Sequence, residues 1–285
     1  MGEVYNLVRG MMVHPITRRT PLRTAARVLG WQLRTRFSVG VRTVKWIGKS
    51  KLVVKRGMHG VTGNLYYGLH EFADKAFVLH LLRKDDIFYD IGANVGSYTV
   101  LASAIVGART EAFEPVPETL KGLRANVGAN AMEGLVTTHG CSLGDAEGSV
   151  AFTSDLGPKN KVAQPGETAT IMVPIRRLDD VLPKAEPVMM KVDVEGHEEA
   201  MLAGAESTMA RPSLIAIEIE TLTKNVTDTL ARHGFERVRY DPMARKLEAQ
   251  QGRFHSENAL FVRDRAKAQA RVSSAPYTNV MGVSL

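Results

Sequence analysis

Residues 89–99 read Tyr-Asp-Ile-Gly-Ala-Asn-Val-Gly-Ser-Tyr-Thr, directly after the apolar residues Ile87 and Phe88. The apolar run is typical of a buried strand, and the glycines behind it predict a tight turn into a helix. Gly92 and Gly96 let the backbone approach a ligand because neither carries a Cβ. A strand, a glycine loop and a helix in this order indicate an α/β sheet that binds its ligand at the carboxyl ends of the strands.

The alternation of strand and helix continues on the C-terminal side of this loop. It predicts an α/β sandwich with a mainly parallel sheet, interrupted by one hairpin formed by residues 149–154 and 170–176. The predicted helices cover residues 98–106, 119–130, 198–209 and 224–233. The predicted strands of the main sheet cover residues 87–91, 110–114, 135–143, 188–194, 214–219, 235–240 and 258–262.

The two ends of the chain differ from this central pattern. Residues 1–60 are predicted to be a basic extension, because they hold 13 Lys and Arg against the single acid Glu3. The rest of the chain holds 24 Lys and Arg against 29 acids. Residues 61–265 carry the predicted sheet. Residues 266–285 show no periodicity and are predicted to be a flexible tail.

The basic extension is predicted to contain an amphipathic helix that begins at Thr20-Pro21 and a hairpin over residues 41–56. Three roles remain open for it: a lid over an acceptor site, peripheral contact of residues 18–56 with an anionic membrane, and recruitment of a partner. The apolar stripe of the predicted helix consists of Leu22, Ala26, Leu29, Leu33 and Phe37.

The composition excludes several classes of protein. Hydrophobic residues make up 44% of the 285 residues and charged residues 24%, which excludes a wholly disordered or fibrous chain. The single cysteine, Cys141, excludes an internal disulfide framework and indicates a reducing compartment. We therefore expect a cytoplasmic protein, with a membrane-peripheral position as the alternative. The sequence does not indicate an oligomeric state.

The glycine loop points to a cationic nucleoside ligand. Its spacing differs from the G-x-G-x-x-G of dinucleotide-binding proteins, which argues against a nicotinamide oxidoreductase. Asp90, two residues before Gly92, would repel a pyrophosphate but suits the ammonium and sulfonium groups of S-adenosylmethionine. Asn94 and Gly96 complete the candidate loop. The alternative is a glycine-rich turn with a capping Asp.

Two later positions extend the candidate cofactor site. Glu114 ends the second predicted strand, 24 residues after Asp90, where an acid can accept both ribose hydroxyls. Ser142 and Asp145 follow the third strand and are candidates for hydrogen bonds to adenine. The alternatives are a solvated carboxylate at Glu114 and an ordinary polar turn at the other two positions.

A charged cluster follows the fourth predicted strand, where residues 191–198 read Lys-Val-Asp-Val-Glu-Gly-His-Glu. Asp193, Glu195 and His197 are candidates for the general base that takes a proton from an acceptor hydroxyl. Lys191 is a candidate partner for Glu218 on the fifth strand. The alternative is the acid-rich N-terminus of a helix. The scattered histidines predict no metal site.

Taken together, these motifs resemble the FkbM family of S-adenosylmethionine-dependent methyltransferases, over about residues 60–262. The resemblance implies a seven-stranded class I (Rossmann-like) methyltransferase sandwich with strand order 3-2-1-4-5-7-6 and an antiparallel last strand. It also implies that the loop residues and Glu114 hold the cofactor. The matching pieces are residues 89–99, Phe113-Glu114-Pro115, residues 191–198, Ile217-Glu218 and, more weakly, residues 62–68 with Glu71.

The resemblance implies O-methylation of a hydroxyl on a sugar, glycoconjugate or secondary metabolite, with a small molecule or glycan as the acceptor. Two alternatives stay open, a nucleic-acid acceptor and a non-enzymatic binding module that keeps the nucleoside pocket. The basic extension favours nucleic acid by its charge alone. The absence of an Asn-Pro-Pro-Tyr motif and of a nucleic-acid module makes this partner the weaker alternative.

Overall fold

The computed structural model describes residues 10, 12–36, 40–55, 59–153, 161–163, 170–250 and 258–285. The helices are α1 (Pro21–Arg36), α2 (His59–Tyr67), α3 (Phe72–Leu81), α4 (Ser97–Val100, continued by a π-helical turn over Leu101–Val106), α5 (Pro117–Ala129), α6 (Leu178–Val181), α7 (Glu198–Ala203), α8 (Glu206–Met209), α9 (Lys224–Arg232) and α10 (Arg265–Ser273). A 3-10 turn, Thr17–Arg19, precedes α1. No helix within these described ranges is both long and apolar enough to cross a bilayer.

The strands are β1 (Arg42–Lys45), β2 (Lys51–Val54), β3 (Ile87–Ile91), β4 (Arg109–Phe113), β5 (Val136–His139), β6 (Ser142–Leu143), β7 (Gly148–Thr153), β8 (Thr170–Arg176), β9 (Pro187–Val192), β10 (Ala216–Ile219), β11 (Glu236–Asp241), β12 (Lys246–Ala249), β13 (Ala259–Val262), β14 (Asn279–Val280) and β15 (Val283–Ser284). The main sheet has eight strands in the order β12-β11-β13-β10-β9-β3-β4-β5. Strand β3 lies parallel to β4 and β9, whereas β13 is antiparallel to β10 and β11.

This sheet confirms the predicted strand order. Numbered as the predicted seven strands, and read from β5, the sheet runs 3-2-1-4-5-7-6, and the antiparallel strand is the last of the seven along the chain. The eighth strand, β12, was not predicted. Its four residues, Lys-Leu-Glu-Ala, alternate too briefly to predict a strand, and only Leu247 among them is buried.

The third predicted strand, residues 135–143, is in fact two strands in different sheets. Strand β5 ends at His139 and belongs to the main sheet, whereas β6 pairs in parallel with β8. The predicted hairpin is confirmed as the antiparallel pair β7 and β8, although Ser154 lies outside the described residues. Because the chain leaves the main sheet before Ser142, it carries Ser142 across the carboxyl ends of the strands.

Both faces of the main sheet are covered by helices. Phe88 on β3 and Met189 on β9 pack with the helices α3 and α10. Their neighbours Tyr89 and Met190 point to the opposite face and pack with α7, α8 and α9. Successive strand residues therefore alternate between two apolar layers, as expected of a parallel sheet that is buried on both sides.

The basic extension forms the predicted helix α1 and the predicted hairpin of β1 and β2. The hairpin is attached to α5 because Val53 N and Lys51 N donate to the side-chain oxygens of Asn126 and Asn130, at 2.7 and 2.8 Å. The predicted apolar stripe of α1 faces outward: the exposed fractions of Leu22, Leu29 and Leu33 are 85%, 62% and 57%. The fifth member of the stripe, Phe37, lies outside the described residues.

The prediction of a flexible tail over residues 266–285 is wrong. Asp264 caps α10 by accepting from Lys267 N at 2.9 Å, and Arg271 on this helix forms an ion pair with Asp86. Val272 and the terminal Leu285 are buried in the same apolar layer as α3. The apolar residues of this segment follow no helical or strand period in the sequence, yet Ala268, Val272, Val280, Val283 and Leu285 are all buried.

Candidate active site

The loop after β3 is held between the ends of two neighbouring strands. The backbone N–H groups of Gly92 and Ala93 both donate to Phe113 O on β4, at 3.0 and 2.8 Å. On the other side, a Cβ added to Gly92 would stand 1.8 Å from the carbonyl oxygen of Asp193. Gly92 also has a φ of +78°, so both space and conformation require glycine at this position.

Gly96 allows the start of α4 to pack closely against α5. Its φ is +87°, and an added Cβ would lie 2.5 Å from Leu123 Cδ1 on α5. Asn94, by contrast, lines the cleft in front of the loop, and its backbone N–H donates to Glu114 Oε2 at 3.0 Å. Gly92 and Asn94 therefore line the cleft at the carboxyl ends of the strands, whereas Gly96 allows α4 to pack closely against α5.

Asp90 is a buried acid behind the loop. Thr99 Oγ1 donates to its Oδ2 at 2.5 Å, whereas its Oδ1 has no hydrogen-bond partner among the described residues. Burial raises the pKa of Asp90, and the nearby Lys191 ammonium opposes the shift. An orphaned buried carboxylate oxygen costs free energy unless a ligand or water completes it. Asp90 does not itself line the cleft in front of the loop, so its role toward a cationic ligand stays a prediction.

Glu114 is fixed at the end of β4 by two backbone groups. Its Oε2 accepts from Asn94 N at 3.0 Å and its Oε1 accepts from Val116 N at 2.9 Å. Burial raises its pKa to about 7, although these two hydrogen bonds favour the ionised form. Each oxygen keeps a second lone pair, so the carboxylate can accept from two vicinal hydroxyls, as a ribose would present.

The structure brings only part of the predicted site together. Gly92, Asn94, Glu114, Ser142, Asp193 and Glu195 line one cleft. Asp145 is exposed and does not line the cleft. Nor does His197, whose Nε2 is buried without a hydrogen-bond partner among the described residues, beside Gly144. The cofactor roles of Ser142 and Asp145 and the catalytic role of His197 therefore stay predictions.

Lys191 pairs with Asp193 and not with Glu218, the partner considered from the sequence. Its Nζ lies 2.6 Å from Asp193 Oδ2, and its side chain is almost fully buried. Burial, the largest single effect, would raise the pKa of Asp193, but the Lys191 ammonium and the hydrogen bonds with Glu220 and Lys191 together make the net shift downward. Glu218 instead accepts from Asn258 Nδ2 at 3.0 Å and lies 3.0 Å from the Tyr98 hydroxyl.

Glu220 is a functional candidate that the sequence analysis missed. It follows β10, and its carboxyl group shares a hydrogen bond with Asp193. Burial and the neighbouring Asp193 raise its pKa to about 8. The sequence contains a signal for this residue. Glu220 lies two residues after Glu218, so both point to the same side of the strand end, and this strand lies beside β9.

Asp193, Glu195 and Glu220 form an acidic trio in which one oxygen of each lies within 4.8 Å of the others. Carboxylate oxygens at this spacing could hold a hard divalent cation. The Lys191 ammonium at Asp193 and the raised pKa of Glu220 both reduce the negative charge of the trio. The sequence-based prediction of no metal stays a prediction.

A buried polar network connects the upstream segment to the sheet. Glu71, with a φ of +56°, accepts from Lys75 Nζ at 2.5 Å and lies 2.9 Å from the Tyr98 hydroxyl. Tyr98 contacts Glu218 in turn. Burial and the charge of Glu71 raise the pKa of Asp74 to about 7. The weak upstream motif that ends at Glu71 is thus packed against the helix that begins at the cofactor loop.

The strand order, with a cleft at the carboxyl ends of the parallel strands, is that of a Rossmann-like methyltransferase, a class that uses S-adenosylmethionine as methyl donor. The sequence pattern of the methyltransferase FkbM domain matches residues 90–237. This match spans just over half of the chain, and the chain belongs to the FkbM methyltransferase domain family.

Named relatives share about a quarter of their aligned residues with the chain. The hexuronic acid methyltransferase AglP of Haloferax volcanii is 26% identical, over 54% of this chain and 65% of AglP. The 31-O-demethyl-FK506 methyltransferase FkbM of Streptomyces tacrolimicus is 25% identical, over 63% of this chain and 85% of that protein. The chain thus spans slightly less than two thirds of AglP. Among solved structures, the precorrin-6y C5,15-methyltransferase of Geobacter metallireducens GS-15 gives a TM-score of 0.38 at 17% identity, over 67% of this chain and 86% of that one.

Proposed function

We propose that the chain is an S-adenosylmethionine-dependent O-methyltransferase that acts on a hydroxyl of a sugar, glycoconjugate or secondary metabolite. The observation that carries the proposal is the direct contact between the cofactor loop and the base-bearing strand end, Gly92 against Asp193. One cleft would thereby hold Gly92, Asn94 and Glu114 for the cofactor and Asp193 and Glu195 for the acceptor, with Asp90 and Glu220 behind its lining. The printed names of the two relatives, a hexuronic acid methyltransferase and a methyltransferase of a demethylated FK506, support this acceptor class.

The cofactor would be held by residues at the ends of β3 and β4. Asp90 offers a buried, unpaired carboxylate oxygen to a cationic group, and Glu114 offers two oxygens to the ribose hydroxyls. Gly92 provides room for the ligand beside the strand ends. When bound, S-adenosylmethionine supplies an electrophilic methyl group. These acids suit its positive charge, in contrast to the pyrophosphate of a dinucleotide.

The acceptor hydroxyl would lose its proton to the carboxyl pair of Asp193 and Glu220. Lys191 keeps Asp193 ionised, and the hydrogen bond between the two acids lets them share one proton. Glu220, with a pKa of about 8, is the stronger base of the pair when it is ionised. The role of Asp193 is then to orient the hydroxyl and that of Glu220 is to hold the proton. Glu195 lies at the same cleft and completes the candidate set.

We also propose a cytoplasmic protein that makes peripheral contact with a membrane through residues 18–56. The single free and buried Cys141 supports a reducing compartment, and the outward-facing leucines of α1 support the contact. Fractionation of cells that express the full chain tests this proposal. Recovery in the membrane fraction that is reversed by high salt is expected, and complete recovery in the supernatant at low salt would contradict it.

The enzymatic proposal is tested in two steps on the purified full chain. Isothermal titration with S-adenosylmethionine and with S-adenosylhomocysteine should give saturable binding of both. Transfer of a tritiated methyl group to a panel of uronic acids, neutral glycans and polyketide alcohols should then identify the acceptor class. Saturable cofactor binding with no transfer to any hydroxyl acceptor, but transfer to RNA or DNA, would replace the proposed acceptor by a nucleic acid.

A further inference from the structure

A second cavity lies apart from the cofactor cleft, between α1, the hairpin of β1 and β2, and α2. Its volume is about 400 Å³. The lining combines three aromatic side chains with three cations and contains no acid: Trp31, Trp46, Tyr66, Arg27, Arg34 and Lys45. The methyl-transfer proposal uses none of these residues.

The charge of this cavity fits an anion. Arg27 reaches into it from α1, and its Nη1 donates to the backbone oxygen of Tyr66 at 3.1 Å. Burial lowers the pKa of Arg27, which means that its charge is partly desolvated. The sequence has no Asp or Glu between Val4 and His70, so this part of the chain offers no carboxylate to neutralise it. A guanidinium beside a second arginine and a lysine suits the several oxygens of a phosphate.

The surface next to the cavity fits a bilayer. Helix α1 packs on the domain through Thr24 and Val28, which are buried, and turns its leucines outward. Leu22 is 85% exposed, a large apolar side chain left in water. The exposed Arg23 and Arg34 are next to Leu22 and Leu33 along α1, and Arg34 also lines the cavity. A helix that lies along the protein surface, with exposed leucines and neighbouring arginines, is typical of helices that bind at a membrane interface.

We propose that this cavity binds the phosphate headgroup of an anionic phospholipid while the leucine face of α1 enters the bilayer. The inference extends the proposed peripheral membrane contact by assigning the lipid class and the residues. It is independent of methyl transfer. Cations in the cavity would neutralise the phosphate, and the rings of Trp31 and Trp46 would lie at the level of the headgroups, where amphipathic aromatics are favoured.

The chain carries its own probe for this site, because its only two tryptophans are Trp31 and Trp46 and both line the cavity. Intrinsic fluorescence of the full chain is measured with vesicles of phosphatidylcholine, and with vesicles of phosphatidylcholine and phosphatidylglycerol at a 3:2 ratio. We expect binding and a blue shift with the anionic vesicles only. Lipids brominated near the headgroup end of the acyl chain should quench the emission more than lipids brominated near its terminus.

Matched variants distinguish the contribution of the cavity to vesicle binding from that of the overall charge of the chain. The triple variant Arg27→Gln, Arg34→Gln, Lys45→Gln should lower the partition into anionic vesicles roughly tenfold or more. A control with the same loss of charge, Lys84→Gln, Lys184→Gln, Arg232→Gln, replaces exposed cations elsewhere and should change it less than about twofold. Leu29→Gln with Leu33→Gln should weaken partition while Trp emission still responds to a soluble short-chain phosphatidylglycerol. Circular dichroism and cofactor titration verify that every variant is folded.

Several outcomes would overturn the inference. Equal partition into neutral and anionic vesicles, or none into either, removes the anionic lipid as the ligand. An equal loss in the control variant attributes binding to overall charge and not to the cavity. Saturation of the emission change by inorganic phosphate or glycerol 3-phosphate alone would make the ligand a free phosphate. Because the readout is fluorescence and partition, failure of the proposed methyl transfer would leave it unaffected.

Discussion

The backbone of Gly92 touches the carbonyl of Asp193 so closely that an added Cβ would stand 1.8 Å from that oxygen. The first residue of the cofactor loop and the first acid of the candidate base cluster are therefore positioned against each other. Asp193 N also donates to Ile91 O at 3.0 Å, one residue before Gly92. Because the two backbones are in contact, a backbone displacement on one side would move the other side, whereas a change confined to the Asp193 side chain would not.

This contact predicts a severe effect of Gly92→Ala. The added methyl group cannot be accommodated without displacing the end of β9, and the φ of +78° is unfavourable for alanine. We expect the free energy of unfolding to fall by about 3 kcal/mol or more and cofactor binding to be lost. Thermal denaturation and isothermal titration measure the two effects.

The control is Gly134→Ala, at an exposed position where nothing lies within 4 Å of the added Cβ. It should change neither the melting temperature nor the affinity. Normal cofactor affinity in Gly92→Ala would show that the loop and β9 are not as tightly joined as described.

Glu114 predicts a pH dependence of cofactor affinity. With a pKa of about 7, the carboxyl is mostly protonated at pH 6 and mostly ionised at pH 8. The ionised form accepts from both ribose hydroxyls, so affinity should rise with pH, roughly tenfold between pH 6 and pH 8. Titration calorimetry across this range measures it. Glu114→Gln should bind weakly and without this pH dependence, whereas Glu118→Gln, an exposed neighbour, should behave as the wild type. A wild-type affinity that does not vary with pH would refute the assignment.

The role proposed for Asp193 predicts that its substitution lowers turnover without weakening cofactor binding. In Asp193→Asn the side chain keeps its shape but loses the charge that orients the acceptor hydroxyl beside Lys191. Turnover should fall about 100-fold or more, while the dissociation constant of S-adenosylmethionine should change no more than about threefold. Steady-state kinetics and titration measure the pair of values, with the exposed Asp180→Asn as control. Full turnover in Asp193→Asn would remove this residue from the mechanism.

Glu220 predicts the shape of the pH profile. Below its pKa of about 8 the residue holds a proton and cannot accept another, so turnover should increase as the pH rises through that value. Glu220→Gln should remove this limb and lower turnover by roughly 100-fold at pH 9. The measurement is turnover from pH 6 to pH 9.5 with saturating cofactor. An alkaline limb that persists in Glu220→Gln would assign the titration to another group.

The acidic trio predicts that activity is insensitive to chelators. The Lys191 ammonium neutralises Asp193, and Glu220 is mostly protonated below pH 8. The trio therefore carries too little negative charge to require a metal ion. Turnover after dialysis against EDTA should equal that before dialysis. Loss of activity that Mg²⁺ or Mn²⁺ restores would contradict this expectation, and Glu195→Gln would then be expected to raise the metal concentration needed for activity.

Local sequence rules were sufficient for most strands of the sheet and for the turn after β3, although they missed β12 and merged β5 with β6. Asp90 lies in the apolar strand β3, Gly92 follows that strand, and Glu114 follows β4, and parallel strands bring their carboxyl ends to one edge of the sheet. The strand order itself came from the resemblance to a family and not from periodicity. Such rules predict the backbone conformation of a residue and whether it lies at the carboxyl end of a strand.

The sequence determined the α/β sheet, the position of the glycine loop and the sign of the charge on each part of the chain, because these depend on near neighbours along the chain. Only the tertiary structure decided that Lys191 pairs with Asp193 and not with Glu218, that Glu220 shares a hydrogen bond with Asp193, and that His197 lies outside the cleft. Only the fold, too, turned the leucines of α1 outward and buried Leu285. Which partner a side chain meets depends on packing between segments that are distant in sequence, where differences of a few ångströms select one contact over another.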